Sequence, residues 1–212
     1  MNKKILLLFI LLISSYGYSQ TVLPGKGSSS GGGGSFGSSL QLNALYGINR
    51  TNIYGQGTVP SYSGSTYGIG IDYAIGKTHL NFGPYLSYKV LNLENTANSE
   101  TQSEFITGNN TALGLKAVSS GVYVKIGYLR VNYQDKTTGA LANRLDYSAS
   151  GFELGGGFIF YFGRFVRLNW GAELNQVALK PGEISGISQR LDMTDYLINA
   201  SLTFILPSAG GR

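Results

Sequence analysis

The sequence predicts an all-β protein, an eight-stranded antiparallel up-and-down barrel that spans a membrane. Three observations predict this fold class. Eight runs alternate apolar and polar residues, which is the period of a strand whose two faces meet different surroundings. Long and short connections between these runs alternate strictly. Charged residues make up only 13% of the 212 residues, about half the usual share of about 25% in soluble proteins.

The chain opens with an export signal. Two lysines precede the unbroken apolar run of residues 5–13, and the small residues Gly17 and Ser19 stand before Gln20. This arrangement predicts a signal peptide over residues 1–19, cleaved between Ser19 and Gln20. The apolar run is too short to cross a bilayer, which needs about 20 residues.

A glycine- and serine-rich tract follows the signal peptide. Residues 20–39 contain too few apolar side chains to form a core, so we expect a flexible leader that lies in the periplasm and is able to serve as a tether. The barrel is predicted over residues 40–206, with a short tail at residues 207–212.

The eight runs predict one strand each. They comprise residues 40–49, 67–75, 79–90, 118–126, 129–134, 151–160, 166–175 and 195–206. Between the fourth and fifth runs the apolar phase shifts by one residue, because Leu129 and Val131 are odd-numbered whereas Val124 and Ile126 are even-numbered. A regular strand keeps its phase, so the shift predicts a tight turn near Gly127.

The connections place the ends of the barrel. Short turns are predicted at residues 76–78, near Gly127 and at residues 161–164. Long polar connections are predicted over residues 50–66, 91–117, 135–148 and 176–194. In a meander this alternation puts every long loop at one end. These loops are predicted to carry scattered apolar residues suited to surface contact, namely Tyr54, Tyr62, Phe105, Ile106, Ile184 and Ile187.

Three features favour a membrane barrel over a soluble sandwich. The runs have the length of about 9–11 residues that a tilted strand needs to cross a bilayer. The polar face carries glycine and isolated charges. Aromatic residues lie at the run ends, where interfacial girdles form, and these are Tyr46, Tyr67, Tyr73, Tyr88, Phe160, Phe165, Tyr196 and Phe204.

The polar faces of the runs predict a charged barrel interior. Its members are Asp72, Lys89, Lys125, Arg130, Glu153, Arg167 and Glu173. An unpaired charge in a narrow interior is costly, so these groups are expected to pair and block conduction, with Glu153 and Arg167 as the favoured pair. A gated ion path through the same charges is the alternative.

These features resemble the small eight-stranded outer-membrane barrels of Gram-negative bacteria, the OmpA transmembrane-domain and OmpX-like families. The last run, with Tyr196, Ile198, Ala200, Leu202 and Phe204 at alternate positions, is similar to the strand signal read by the barrel assembly machinery. The resemblance implies an outer-membrane location, both termini in the periplasm, and contact with outer-membrane lipid and lipopolysaccharide.

Several function classes are weighed on the residue content. The chain has no cysteine, which excludes disulfides, thiolate metal sites and cysteine nucleophiles. The net charge of +5 is spread along the chain and does not indicate a nucleic-acid partner. No residue set predicts a metal site or a cofactor.

The only histidine, His79, bears on the enzymatic alternative. Some barrels of the resembling class modify lipid A with a histidine and a serine near the outer leaflet. His79 is predicted at the short-turn end, on the wrong side for that substrate. The sequence therefore predicts a non-enzymatic protein of envelope structure or surface interaction, or an accessory subunit of a larger outer-membrane complex. A lipid A-modifying enzyme and a narrow ion channel are the alternatives.

Overall fold

A computed structural model describes most of the predicted barrel. The described residues are 37–54, 61–77, 80–95, 105–119, 121–135, 146–162, 165–179 and 191–206. The predicted cleavage site at Ser19 and Gln20, the leader as far as residue 36, His79 and the tail at residues 207–212 lie outside the described residues. The last three residues assigned to the leader, 37–39, belong to the first strand.

The predicted fold class is confirmed, since eight strands form a closed antiparallel barrel. Each strand pairs with the next along the chain, and the last pairs with the first. The strands are β1 (Gly37–Tyr54), β2 (Ser61–Lys77), β3 (Leu80–Asn95), β4 (Phe105–Ser119), β5 (Val122–Asp135), β6 (Asp146–Tyr161), β7 (Val166–Leu179) and β8 (Leu191–Leu206). Within the described residues, no helix is long and apolar enough to cross a membrane.

The pairing register sets the tilt of the strands. A row of paired residues that starts at Thr51 and passes once around the barrel returns to β1 at Gln41, ten residues earlier. With eight strands about 4.8 Å apart and a rise of about 3.3 Å per residue, this stagger gives a tilt of roughly 40°. A tilt of this size is usual for transmembrane barrels.

The positions of β4 and of the turn after it differ from the prediction. β4 lies almost wholly within the segment predicted as the second long connection, and it joins β5 through Gly121, whose φ of +88° favours glycine. Gly127 does not form a turn, since it lies inside β5 and pairs with Gly114. The phase shift that predicted this turn therefore has another cause.

That cause is a change of surroundings along each strand. In β5, Ile126 and Tyr128 face outward and are exposed, whereas Leu129 and Val131 face inward and are fully buried. β3 shows the same switch, with Tyr88 facing outward and Leu91 and Leu93 facing inward. The backbone stays regular while the apolar residues move from the outer to the inner face. Toward the long connections, the wall is therefore polar outside and apolar inside.

The wall toward the short turns has the opposite character. Its outer face carries exposed leucine, isoleucine, phenylalanine and tyrosine side chains. All eight predicted girdle residues face outward, each between 42% and 61% exposed. Allowing for the tilt, Tyr46, Tyr67, Tyr88 and Tyr196 form a tier nearer the long connections, and Tyr73, Phe160, Phe165 and Phe204 form a tier near the short turns.

Candidate functional site in the barrel interior

Four charged side chains from four different strands form the centre of the barrel. Lys89 on β3, Lys125 on β5, Glu153 on β6 and Glu173 on β7 are all buried. We call them the ion-pair layer. Nζ of Lys125 lies 2.8 Å from Oε1 of Glu153 and 2.7 Å from Oε1 of Glu173. Nζ of Lys89 contacts the Oε2 atoms of both glutamates, so each lysine bridges both carboxylates.

Neutral groups complete this layer. The Tyr85 hydroxyl donates to Oε1 of Glu153 at 2.8 Å, and Nδ2 of Asn199 donates to Oε1 of Glu173 at 2.8 Å. Nζ of Lys125 also lies 5.3 Å from the centre of the Tyr85 ring. The carboxylates are therefore held by direct ion pairs and by neutral donors, which is what makes a buried charge tolerable.

Glycine on the facing strands makes room for Tyr85. A Cβ atom built on Gly127 would overlap the Tyr85 hydroxyl, and one built on Gly114 would overlap the backbone of β5. A larger residue at Gly127 would displace the tyrosine from Glu153. This packing gives a structural reason for the glycine that the sequence placed in a turn.

A second ion pair lies nearer the short turns. Lys116 on β4 contacts Asp72 on β2, and its Nζ lies 5.2 Å from the centre of the Tyr123 ring. Lys116 was missed because β4 was interpreted as a loop. The alternation of Leu113, Leu115 and Ala117 with Lys116 was the available signal.

Of the seven predicted interior charges, one lies on the outer face. Asp72, Lys89, Lys125, Glu153 and Glu173 are buried inside the barrel. The placement of Arg130 was wrong. At this level of β5 Leu129 faces inward, and the Arg130 side chain is exposed on the outer face. Arg167 is on the inner face of β7, in phase with Asn169 and Glu173, but near the short turns; it is half-buried, and its guanidinium lies 5.0 Å from the centre of the Tyr161 ring.

The predicted pairing of Glu153 with Arg167 was also wrong. Arg167 is opposite Tyr161 in the register, whereas Glu153 is opposite Asn175. Eight residues of β6 separate Glu153 from that turn end, roughly 26 Å along the strand. The prediction assumed that Glu153 lies close to the turn. Because β6 is 16 residues long, Glu153 instead lies near the middle of the strand.

An apolar layer fills the barrel on the side of the long connections. It includes two residues predicted in loops, Tyr62 and Ile106, which are buried inside the barrel rather than available for surface contact. Phe105 and Tyr54 also belong to strands, while Ile184 and Ile187 lie outside the described residues. The apolar layer comprises Tyr62, Leu91, Leu93, Ile106, Leu129, Val131, Tyr133, Ala149, Val177 and Met193.

A small polar cavity lies beside the ion-pair layer. It has about 50 Å³ of water-accessible space, which is room for a few water molecules. Its lining includes Asn43, Ser87, Lys89, Glu173 and Asn199. Among the described residues, no group of three or more His, Cys, Asp or Glu side chains is arranged to hold a metal ion.

The fold and its outer surface define a class of protein. Closure of the sheet leaves no unpaired backbone edge, and the exposed apolar belt matches a hydrocarbon environment. The chain is therefore a transmembrane β-barrel of the bacterial outer-membrane class, as the sequence predicts.

Three solved structures illustrate what this chain is similar to. Ail, the attachment invasion locus protein of Yersinia pestis, is similar with a TM-score of 0.43 and 9% identity, over 78% of this chain and 99% of that chain. The outer membrane protein OprG from Pseudomonas aeruginosa has a TM-score of 0.45 and 10% identity, over 81% and 97%. The outer membrane protease OmpT from Escherichia coli has a TM-score of 0.40 and 9% identity, over 81% and 98%.

No protein-family model and no curated protein matches the chain. At identities of 9–10%, the similarity to an attachment protein, an outer-membrane protein and a protease does not transfer any one function to this chain.

Proposed function

We propose that this chain is a non-enzymatic outer-membrane protein of envelope structure or surface interaction, with a barrel that does not conduct. The observation that carries the proposal is that two layers of side chains fill the interior. The ion-pair layer and the apolar layer occupy successive levels of the same lumen.

The chemistry of the two layers supports closure. In the ion-pair layer each lysine is neutralised by two glutamates, so a passing ion would have to break buried pairs. In the apolar layer, Leu129 and Val131 are fully buried and offer no polar path. A barrel of about eight strands is narrow enough for side chains to fill it.

The same burial argues against acid–base catalysis in the lumen. Glu153 and Glu173 are 0% and 4% exposed, and both carboxylates are engaged by both lysines. A general acid or base must reach the substrate proton, so these carboxylates do not serve that role. The outer wall and the ends of the barrel are left to carry the function.

Conductance tests the closed lumen. The purified protein in a planar lipid bilayer is expected to give no conductance steps, while a porin from the same membranes serves as the positive control. Discrete steps from the wild-type protein would contradict the proposal and favour the narrow channel. Mass spectrometry of lipid A from cells with and without the protein tests the enzymatic alternative, and we expect identical masses.

A mild-detergent pull-down from the native outer membrane separates the two non-enzymatic roles. A stoichiometric partner would make the chain an accessory subunit of a larger complex. Recovery of the barrel with lipopolysaccharide alone would favour a free-standing surface protein.

A further inference from the structure

Three rows of outward-facing side chains cross β4, β5 and β6 where the outer wall changes from apolar to polar. The first row, Leu113, Tyr128 and Phe152, is exposed and apolar. The next two rows toward the long connections carry only hydroxyl, amide and guanidinium groups. These rows are Thr111, Arg130 and Ser150, followed by Asn109, Asn132 and Ser148, and we call the six residues the outer patch.

The height of the outer patch places it in and above the lipid headgroups. The exposed apolar belt ends at the row of Tyr128 on this part of the wall. Arg130 lies two residues beyond Tyr128 on the same face, roughly 5 Å farther along the tilted strand's projection on the barrel axis, and Asn132 lies roughly 10 Å beyond it. The headgroup layer is about 5–8 Å thick on each side of a bilayer. Arg130 therefore lies within this layer, and Asn132 lies beyond its outer limit.

Arg130 is the only charged member of the outer patch. Within the described strands, no carboxylate forms an ion pair with it. Its neighbours across the ladder are Thr111 and Ser150, and the Tyr128 hydroxyl donates to Oγ of Ser150 at 2.5 Å. A guanidinium presents its N–H donors in a planar fork that matches two oxygens of a phosphate group. An exposed arginine between two hydroxyls at headgroup depth is therefore suited to a lipid phosphate.

The row beyond Arg130 is suited to sugar hydroxyls. Nδ2 of Asn132 donates to Oδ1 of Asn109 at 3.1 Å, which holds the two amides side by side. This bond uses one donor and one acceptor, so both amides keep hydrogen-bonding capacity for a ligand. Amides and hydroxyls both donate and accept, as sugar hydroxyls do. The outer patch contains no lysine or glutamate, whose long side chains lose the most rotamer entropy when a ligand orders them.

The apolar layer holds the outer patch from behind. Leu129, Val131 and Ala149 alternate with the patch residues along β5 and β6, and all three are buried in that layer. The patch is therefore fixed on a packed wall above the membrane, and a fixed surface loses less entropy on binding.

We propose that the outer patch binds the phosphorylated sugar headgroup of a glycolipid in the leaflet that surrounds it. The Arg130 guanidinium binds the phosphate, together with the hydroxyls of its own row. The amides of the next row bind the adjoining sugar hydroxyls. A simple phospholipid would cover the row of Arg130 alone, because its headgroup does not reach the level of Asn132. This inference rests on the proposed function of surface interaction and names its partner.

Arg50 on β1 provides a comparison within the same barrel. It is also exposed on the outer wall, and the ladder places it at nearly the same height as Arg130. Its neighbours across the ladder are Ser63 and Tyr196, and its Nε donates to Oγ of Ser61 at 3.1 Å. A substitution of Arg50 therefore removes the same charge at the same level without touching the outer patch.

Native mass spectrometry of the full-length barrel in an uncharged detergent tests the proposal. The barrel is titrated with rough lipopolysaccharide, with the same lipopolysaccharide after removal of its phosphates, and with phosphatidylglycerol. The measurement gives the apparent dissociation constant of the first bound lipid, and we expect the intact glycolipid to bind most tightly.

Three variants locate the binding. Arg130→Gln should weaken binding of the intact glycolipid about tenfold, because a hydrogen bond to a charged group contributes about that factor. Arg50→Gln is the matched control, and it should weaken the same binding less than about twofold because it removes only an exposed charge. Asn132→Ala should reduce the preference for the glycolipid over phosphatidylglycerol about threefold, since it removes one neutral hydrogen-bonding group.

Three results would overturn the proposal. Unchanged binding in Arg130→Gln would exclude the phosphate contact. Equal losses in Arg130→Gln and Arg50→Gln would show that the overall charge of the wall attracts the lipid. Phosphatidylglycerol that binds as tightly as the intact glycolipid would exclude the sugar contacts, and this comparison in the wild type decides the matter if a variant does not fold. Each failure leaves the closed lumen untouched, because the conductance test does not depend on the outer wall.

Discussion

Replacing Glu153 by glutamine is the most direct perturbation of the ion-pair layer. Glutamine keeps the size of the side chain and can still accept from the Tyr85 hydroxyl, but it removes the charge that faces Lys89 and Lys125. Both lysines would then share Glu173 alone. The lumen would carry one additional uncompensated positive charge at a site that is 0% exposed.

The expected cost follows from this geometry. A lysine–glutamate pair at 2.8 Å has a Coulomb energy of roughly 6 kcal/mol at an effective dielectric constant of about 20, and desolvation offsets most of it. Removing one partner keeps the desolvation cost of the other, so we expect Glu153→Gln to lower the free energy of unfolding by about 3–5 kcal/mol. Urea unfolding in phospholipid vesicles measures this difference.

A second substitution separates charge from packing. Adding Lys89→Met to Glu153→Gln restores the charge balance. The double variant should therefore be more stable, by about 2 kcal/mol or more in its free energy of unfolding, than the sum of the two single losses predicts. Glu94→Gln is the matched control, because Glu94 is exposed on β3, and it should change stability by less than about 0.5 kcal/mol. If Glu153→Gln costs no more than Glu94→Gln, or if the two lumen substitutions are additive, the reasoning about the ion-pair layer is wrong.

Three further predictions test the switch of faces along the strands. Leu129→Ala should destabilise the barrel by about 2–5 kcal/mol in urea unfolding because Leu129 is 0% exposed, and the outward-facing Leu113→Ala should cost clearly less. Arg130→Ala should change the free energy of unfolding by less than about 0.5 kcal/mol. A cost of several kcal/mol would mean that the Arg130 side chain lies inside the barrel. The single tryptophan, Trp170, faces outward, so brominated acyl chains should quench its fluorescence in vesicles, whereas iodide in the buffer should not.

The sequence was sufficient to predict the barrel because the lipid-facing strands carry a long period-two pattern. Runs such as residues 67–75 and 195–206 keep apolar residues on one face over their whole length. The alternation of short and long connections then indicated that all long loops lie at one end of the barrel. These signals are local, so outside β4 and β5 each strand was predicted from its own residues.

The sequence was insufficient at β4 and β5, where the surroundings change along the strand. The rule that a phase shift marks a turn assumes that one face stays apolar throughout. Leu129 and Val131 break the alternation because their strand has left the hydrocarbon, not because its backbone bends. The misplacement of Arg130 follows directly from that assumption.

The contacts of the lumen could not be predicted because they depend on register across many strands. Glu153 contacts Lys89, 64 residues away in sequence, through the stagger of the closed sheet. Nothing in the spacing of the two residues indicates this contact. Polarity of the inner face was predictable strand by strand, whereas the partners were set by the ten-residue offset of the whole barrel.

The two interior layers follow from the two surroundings of the outer wall. Where lipid surrounds the barrel, apolar side chains are stabilised by facing outward. The polar face of each strand therefore forms the core, where its charges are paired. Where water surrounds the barrel, apolar side chains are stabilised by facing inward instead, and leucine and valine form an ordinary apolar core.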